Sequence, residues 1–477
     1  MIRPMSLWGK TEGTKSAPET LRPFAVEPSL SVATVPCLAR VLVLSEDAAW
    51  SRDLSKRLRR QGFATSAGDF SLVARRLTAE EHPDIVIVGA EKAPEPALDF
   101  AQSLKSDAES AHIPVVIAHP DPTPELCRRA AVTGADDVFG GTLSDPILIA
   151  RLRPLVRLAT MCNELRNRAA AARGFGIEAS DRVPTISARH DFQVLAVAEN
   201  AGDFSEIDTA LGRGFRVARA DDVFQAASRL RAESIDALVV SIRDRAEDAL
   251  YLCGQIRNNP NLFNLPVLLV ADPGTFANVE EPYASGASAV LPRPLEPITL
   301  ESRAMMLVRR QRLRREIRDL LAGIHRGPIC DEIEGVFTRP FFHAYLDRVA
   351  GSAARWRKPL SLASFQVQNL ASIVREHGAE AANDLLRQVA EWITILVRVE
   401  DLVGRNEPKE FCVVLPETTI EDAQIVVHRI SGVLLNTQFG VKGVRDSVNA
   451  WIQAGWTSAR TGDTSATLIE RARQNLR

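Results

Sequence analysis

The fold is decided by the stretch Pro83-Asp84-Ile85-Val86-Ile87-Val88-Gly89. A short run of β-branched apolar residues bounded by polar and small ones is typical of a strand buried on both faces of a parallel sheet. Similar runs occur at residues 41–44 and 114–117, and helical stretches such as 98–105 and 124–133 accompany them. Strands that alternate with helices at this spacing predict a doubly wound parallel α/β sheet.

The same layout occurs a second time, about 150 residues later. Apolar runs at residues 194–197, 237–240 and 266–270 repeat the strand pattern. Gly134-Ala135-Asp136 corresponds to Gly286-Ala287-Ser288, and each triplet precedes the last strand of its unit. We interpret this as an internal duplication that gives two doubly wound parallel-sheet domains.

The remaining segments follow from changes in composition. The proline-rich start predicts a flexible tail, and the break between the two units predicts a linker. The last part of the chain combines strands, a long helix and a hairpin, which predicts an α+β domain. The predicted limits are 1–38 for the N-terminal tail, 39–160 for the first α/β domain, 161–190 for a linker, 191–305 for the second α/β domain, 306–330 for a helical linker and 331–477 for the α+β domain.

Composition gives no reason to expect a nucleic acid or a membrane as a partner. The 477 residues include 58 Lys plus Arg and 60 Asp plus Glu, for a net charge of −2. No apolar run reaches the roughly 18 residues that span a bilayer. Six dispersed cysteines without Cys-x-x-Cys spacing predict reduced thiols and a cytoplasmic location. The arginine-rich helix at 300–322 is interpreted as a solvated face.

The two duplicated domains resemble the receiver domains of two-component signalling. Receivers hold Mg²⁺ with an acidic pair, accept phosphate on an aspartate and sense it with a lysine. The phosphate-accepting position falls on Gly89 in the first domain and on Ser241 in the second, where Arg293 replaces the lysine. A glycine has no atom to phosphorylate, and a serine without a metal cage is a poor acceptor. The resemblance therefore predicts pseudo-receivers.

The last domain resembles the GGDEF family, the diguanylate cyclases, from residue 331 to the end. Phe411-Cys412-Val413-Val414-Leu415-Pro416 matches the strand after the family's signature loop. Residues 423–430 match the next helix, and residues 468–472 match the closing helix. The order of two receivers and one GGDEF domain is similar to that of response regulators that contain this domain.

The resemblance predicts a degenerate cyclase site. The family's metal-binding aspartates fall on Gln366 and Gln368, and its signature Gly-Gly-Asp-Glu-Phe falls on Glu407-Pro408-Lys409-Glu410-Phe411. Lys409 places a positive charge where the family binds a cation, and Glu407 and Pro408 replace the two glycines. We therefore expect no bound metal and a chain that is not an enzyme. Glu410 is interpreted as a solvent-facing hairpin carboxylate.

A second nucleotide site of the family is kept. Its Arg-x-x-Asp motif, five residues before the signature loop, occurs as Arg398-Val399-Glu400-Asp401, and the matching arginine of the next helix is Arg429. In the family these residues bind cyclic di-GMP. An arginine fork fits the O6/N7 edge of guanine, and a carboxylate accepts from N1 and N2. We expect Arg398, Asp401 and Arg429 to bind the dinucleotide.

The leading hypothesis is a non-catalytic cyclic-di-GMP-binding effector of response-regulator type, which relays binding by protein–protein interaction. The resemblance implies that the chain forms a homodimer. It also implies two protein partners, an adaptor of regulated proteolysis and its cell-cycle client, and a location at a cell pole. Two alternatives remain open. One is a diverged diguanylate cyclase that makes cyclic di-GMP from GTP, and the other is a signalling scaffold without a ligand.

Overall fold

A computed structural model describes residues 37–69, 82–141, 143–184, 191–259 and 262–476. Residues 1–36, nearly all of the predicted N-terminal tail, lie outside the described residues. Within the described ranges, no helix has both the length and the apolar character that crossing a membrane requires.

The first α/β domain contains a five-stranded parallel sheet in which every residue of Ile85–Gly89 is buried. Its elements are β1 (Arg40–Leu44), α1 (Ala48–Arg60), β2 (Ala64–Gly68), β3 (Ile85–Gly89), α2 (Pro94–Ser106), β4 (Val115–His119), α3 (Pro124–Thr133), β5 (Asp137–Gly140) and α4 (Asp145–Arg173). The strand order is β2-β1-β3-β4-β5. Apolar clusters cover both faces of the sheet, as its continuous apolar strands require.

The second α/β domain repeats this arrangement. Its elements are β6 (Phe192–Val197), α5 (Ala201–Leu211), β7 (Phe215–Ala220), α6 (Val223–Ala232), β8 (Ala237–Ser241), α7 (Ala246–Asn258), β9 (Val267–Ala271), α8 (Glu281–Ser285), β10 (Ala289–Pro292) and α9 (Pro297–Ile324). The parallel strand order β7-β6-β8-β9-β10 is that of the first domain. The prediction of two doubly wound domains is confirmed.

The third domain is α+β, as predicted. Its elements are α10 (Arg339–Trp356), β11 (Leu360–Val367), α11 (Leu370–Leu396), β12 (Leu402–Glu407), β13 (Glu410–Pro416), α12 (Ile420–Asn436), β14 (Gln438–Phe439), β15 (Val448–Asn449), β16 (Ile452–Ser458) and α13 (Ser465–Gln474). The main sheet is antiparallel, in the order β12-β13-β11-β16. The hairpin of β12 and β13 carries the signature positions at its turn.

Helix α4 extends far beyond the first sheet. It is 29 residues long and ends at Arg173, so the predicted linker at 161–190 begins within a helix. Leu158, Cys162 and Leu165 of this helix belong to one buried cluster with Phe341 and Tyr345 of α10. The last turns of α4 are thus part of the apolar core beneath the third domain, and burial of one helix face explains why the chain stays helical there.

The arginine-rich helix α9 does not present a solvated face, and that prediction is wrong. Arg310 and Arg314 are only 7% and 6% exposed. Arg303 pairs with Asp137 of the first domain at 2.5 Å. Arg312 and Arg315 pair with Asp236 of the second domain at 2.9 and 2.5 Å. These arginines are covered because α9 packs against the first domain as well as against the rest of its own domain, and spacing along the helix cannot reveal these contacts.

Candidate functional site

The Arg-x-x-Asp motif forms the connection between α11 and β12. Helix α11 ends at Leu396, and the next residue already has extended backbone angles. The amide of Arg398 donates to Asp401 Oδ2 at 2.8 Å. The amide of Asp401 donates in turn to the carbonyl of Arg398 at 3.0 Å. The two motif residues that the sequence predicted as ligands are therefore held together in one closed turn.

Arg429, the third predicted ligand, lies on α12 beside this turn. Its Nη2 donates to the carbonyl of Leu396 at 2.8 Å, which satisfies a free acceptor at the C-terminus of α11. The side chains of Arg398 and Arg429 are both exposed. The structure therefore brings Arg429 to within one hydrogen bond of the segment that carries Arg398.

Asp401 differs from the two arginines because it is only 7% exposed. Its Oδ1 has no hydrogen-bond partner among the described residues. Burial, followed by the charge of Glu400, raises the pKa of Asp401 to about 7, and the bond from the Arg398 amide only partly opposes this rise. Buried polar atoms in proteins are nearly always hydrogen-bonded, so this oxygen needs a donor from elsewhere.

A cavity of about 200 Å³ opens beside the turn. Arg398 and Asp401 line it, whereas Arg429 is not among its lining residues. Other charged or polar walls are Arg168, Arg318 and His325, and apolar walls include Leu321, Phe337 and Val403. The cavity is thus built from the motif, from the end of α9 and from α4.

Two arginines of α4 that the sequence analysis missed contact the motif across 231 to 243 residues of chain. Arg168 Nη2 donates to the carbonyls of Val399, Glu400 and Asp401 at 3.0, 2.7 and 2.8 Å. Arg157 Nε pairs with Glu400 Oε1 at 3.0 Å. The one available signal was the 3-4-4 spacing of Arg157, Thr160, Glu164 and Arg168, which puts a polar stripe on one face of a helix.

The signature positions form the turn of the β12–β13 hairpin. Pro408 and Lys409 are exposed at its tip, and a bulge interrupts the pairing between Arg405 and Glu407. On the neighbouring strand, Gln368 Nε2 donates to Gln366 Oε1 at 3.3 Å. The structure therefore brings the five predicted cyclase positions to one end of the sheet.

Glu410 is not a solvent-facing carboxylate, and that interpretation is wrong. It is 1% exposed, and it accepts from Ser364, Gln366 and Asn406 at 2.7, 3.2 and 2.6 Å. Arg473 of α13 pairs with it at 2.5 Å. Burial alone would raise the pKa of Glu410, but the hydrogen bonds, led by that from Arg473, outweigh burial and hold the pKa at about 2.

The side chains at the family's metal positions do not fit a divalent cation. Gln366 and Gln368 are uncharged, Lys409 is positive, and both oxygens of Glu410 already have partners. Glu407 pairs with Arg339 at 3.2 Å. In the part of the chain that the structure describes, no group of three or more His, Cys, Asp or Glu residues could hold a metal ion. Oxygen ligands that Mg²⁺ prefers are therefore not assembled here.

In the first receiver-like domain, the carboxylate of Glu91 occupies the space above Gly89. A Cβ atom added at Gly89 would collide with both oxygens of Glu91. Ser45 Oγ donates to Glu91 Oε2 at 2.8 Å, and burial raises the pKa of Glu91. An aspartate at position 89 would have to displace this carboxylate.

In the second receiver-like domain, Ser241 is part of a closed ionic network. Its hydroxyl donates to Asp203 Oδ2 at 2.6 Å and accepts from Arg293 at 2.6 Å. Arg293 also pairs with Glu206 at 2.9 Å. Arg243, then Ser241 and Arg293, outweigh burial and hold the pKa of Asp203 at about 2. The guanidinium of Arg293 thus reaches the serine at the predicted acceptor position, and the sequence analysis missed Asp203.

Fold and site together define the class, which is a chain of two receiver-like domains followed by a GGDEF domain. Residues 329–477 match the family model described as "Diguanylate cyclase, GGDEF domain". The chain is similar to the response regulator PleD of Caulobacter vibrioides (strain NA1000 / CB15N), with 26% identity over 441 residues, 92% of this chain and 96% of that protein. The predicted order of two receiver-like domains and one GGDEF domain is confirmed.

Solved GGDEF domains also resemble this chain. One is the GGDEF domain of DgcB from Caulobacter crescentus in complex with c-di-GMP, with a TM-score of 0.30 and 16% identity over 31% of this chain and 88% of that one. Another is the active GGEEF domain of a diguanylate cyclase from Vibrio cholerae, with a TM-score of 0.28 and 24% identity over 29% of this chain and 86% of that one.

The prediction that the chain is not an enzyme is wrong in view of the family match. The domain with the substituted signature is itself matched over residues 329–477 by the model of the diguanylate cyclase family. The likeness to PleD covers 92% of the chain and therefore includes this domain. The prediction rested on five substituted positions, whereas the match extends over residues 329–477.

Proposed function

We propose that this chain is a response regulator whose GGDEF domain binds cyclic di-GMP at Arg398, Asp401 and Arg429 and relays the bound state to a protein partner. The proposal rests above all on Asp401 Oδ1, a buried acceptor beside a cavity for which the described residues supply no donor. Two exposed arginines lie close to that carboxylate. Arg398 belongs to the same turn, and Arg429 donates to the carbonyl at the end of α11.

The chemistry of guanine fits this set of groups. The guanine edge with N1 and N2 donates hydrogen bonds, and the ionised Asp401 carboxylate can accept them. The O6/N7 edge accepts from a guanidinium such as that of Arg398. Arg429 carries a further planar fork that can meet a phosphate of the dinucleotide. Each group of the site therefore has a complementary group on the ligand.

Calorimetric titration of the full chain with cyclic di-GMP tests the proposal. Arg398→Ala removes one guanidinium–guanine contact, so the dissociation constant should rise about 10- to 100-fold. Arg375→Ala removes an exposed arginine elsewhere on α11 and should bind like the wild type. The proposal is wrong if the wild-type chain does not bind the dinucleotide.

The relay requires that binding at the turn change the structure or the dynamics of the chain outside the GGDEF domain. Hydrogen–deuterium exchange with and without saturating cyclic di-GMP should show added protection in α4 as well as at residues 397–401. Protection confined to the turn would contradict a relay. The proposed partners, a second copy of this chain and an adaptor of regulated proteolysis with its client, are tested by sedimentation and by binding of purified proteins at both ligand states.

Synthesis of cyclic di-GMP from GTP is the second candidate function, because residues 329–477 match the diguanylate cyclase family. Purified chain incubated with GTP and Mg²⁺, followed by chromatography of the nucleotides, tests it directly. Product above that of a blank without protein would establish the activity. The two candidate functions are independent, since the binding test uses the dinucleotide alone.

A further inference from the structure

We infer that Arg168 of α4, outside the GGDEF domain, completes the dinucleotide site. The inference rests on the proposed function and extends it to a residue of the first receiver-like domain's last helix. Arg168 fixes the backbone of the Arg-x-x-Asp turn and also lines the cavity beside it. The site would then depend on the position of α4.

The first role of Arg168 is to hold the turn. Its Nη2 lies within 3.0 Å of three successive carbonyl oxygens, at residues 399, 400 and 401. The turn thus points three successive carbonyls at one donor group. Without the Arg168 side chain these buried acceptors would lose their donor, so the turn would rearrange and Asp401 would move with it.

The second role concerns the cavity. Of the described residues that line it, Asp401 Oδ1 and Arg168 Nε are the buried side-chain atoms without a hydrogen-bond partner. One is an acceptor and the other is a donor. A guanine base carries N–H donors on its N1/N2 edge, which suit the Asp401 carboxylate. Arg168 Nε lies 4.0 Å from Glu164 of its own helix, so Arg168 acts on the site through the turn carbonyls that its Nη2 holds. On the same measure one water molecule needs roughly 10–15 Å³, so a cavity of about 200 Å³ has room for part of a larger ligand.

Arg168 is held firmly enough to act in this way. Its side chain is 5% exposed, and Glu164 lies one turn earlier with an oxygen 4.0 Å from Arg168 Nε. The hydroxyl of Tyr345 in α10 donates to that glutamate. Helix α4 follows β5 of the first receiver-like domain after a short connection. A displacement of that domain would therefore pull Arg168 from the turn and weaken ligand binding.

The test compares Arg168→Ala with Arg157→Ala in the full chain. Both variants remove an arginine of α4 that contacts the motif. In the part of the chain that the structure describes, Arg157 reaches the motif through the side chain of Glu400, whereas Arg168 holds its backbone carbonyls. We expect Arg168→Ala to raise the dissociation constant of cyclic di-GMP about tenfold or more, and Arg157→Ala to change it less than about threefold. Saturating dinucleotide should accordingly raise the melting temperature of Arg157→Ala more than that of Arg168→Ala.

The outcomes separate this inference from the proposed function. If the wild type does not bind, the proposed function itself fails. If Arg398→Ala loses affinity while Arg168→Ala binds like the wild type, only the inference about Arg168 is overturned. Equal losses in Arg168→Ala and Arg157→Ala would also overturn it, because they would indicate a general effect of domain docking. Should Arg168→Ala not fold, Arg168→Lys keeps the buried charge, lacks Nε and should still bind more weakly.

Discussion

The turn at residues 398–401 and the hairpin at 407–410 belong to the same domain, and the buried carboxylates of Asp401 and Glu410 in them differ in their partners. Glu410 is 1% exposed and has partners on both oxygens, including Arg473. Asp401 is 7% exposed, and within the described ranges only its Oδ2 accepts a hydrogen bond. Accordingly the pKa of Glu410 falls to about 2 and that of Asp401 rises to about 7.

This difference separates a carboxylate that stabilises the fold from one that is available to a ligand. A buried charge with good partners contributes to stability, whereas a buried acceptor without a donor costs free energy. Such a cost is expected where a site awaits a ligand that supplies the missing donor. Both acids were visible in the sequence, but only the structure shows which one is satisfied.

The largest expected effect is at Glu410. Glu410→Gln should lower the free energy of unfolding by about 2 kcal/mol at pH 7, because it removes a buried carboxylate that pairs with the half-buried Arg473 and accepts several hydrogen bonds. The folded-state pKa of about 2 lies below the ordinary glutamate value of 4.5. The stabilisation is therefore present above pH 4.5 and is lost as the pH falls towards 2. Urea unfolding should show a smaller difference in unfolding free energy between Glu410→Gln and the wild type at pH 3 than at pH 7.

The neighbouring residue provides the control for this experiment. Lys409 is exposed at the hairpin tip, so Lys409→Ala should stay within about 0.5 kcal/mol of the wild type. If Glu410→Gln were as mild as Lys409→Ala, the ion pair with Arg473 would contribute little. The contrast between the hairpin and the turn would then be lost.

The next effect is the pH dependence of dinucleotide binding. Only the ionised Asp401 can accept from both N1 and N2 of guanine, and its pKa in the free chain is about 7. The affinity should therefore fall about tenfold between pH 8 and pH 6. Titration calorimetry at pH 6, 7 and 8 measures this change. A flat profile in the wild type would contradict the role of Asp401.

Other charged groups near Asp401 must be separated from this effect. Glu400, Arg398 and Arg168 act on its charge, and His325 and Arg318 line the same cavity. His325→Gln removes the imidazole and should keep the pH dependence. Asp401→Asn should bind weakly with no such dependence between pH 6 and 8.

The sequence predicted what depends on local pattern. The continuous apolar run at Ile85–Val88 and the alternation of such runs with helices were enough to predict the parallel sheets, because strands buried on both faces must be continuously apolar. The spacing of Arg398 and Asp401 was enough to predict their proximity, because a short turn closes over four residues. Such inferences succeed where the contacting residues are neighbours along the chain.

The sequence could not predict partners that lie far along the chain. Asp84 precedes the strand that decided the fold, yet it pairs with Lys358, 274 residues away. Glu410 depends in the same way on Arg473 of the closing helix, and the turn depends on Arg168. Charged residues are mostly exposed, so a charged residue is predicted to face solvent when the element that buries it is not known. This explains the errors at Glu410 and along α9.

The smallest expected effect has the opposite sign to that of Glu410→Gln. The folded-state pKa of Asp401, about 7, lies above the ordinary aspartate value of 3.8. The contribution of Asp401 to stability is therefore fully present below pH 3.8 and is lost as the pH rises through 7. Asp401→Asn is neutral at every pH, so it should raise the free energy of unfolding by about 1 kcal/mol at pH 8. At pH 3.5, Asp401→Asn should not raise the free energy of unfolding. Urea unfolding at both values measures this, and a loss of stability at pH 8 would mean that the Asp401 carboxylate already has a partner and that the two acids do not differ.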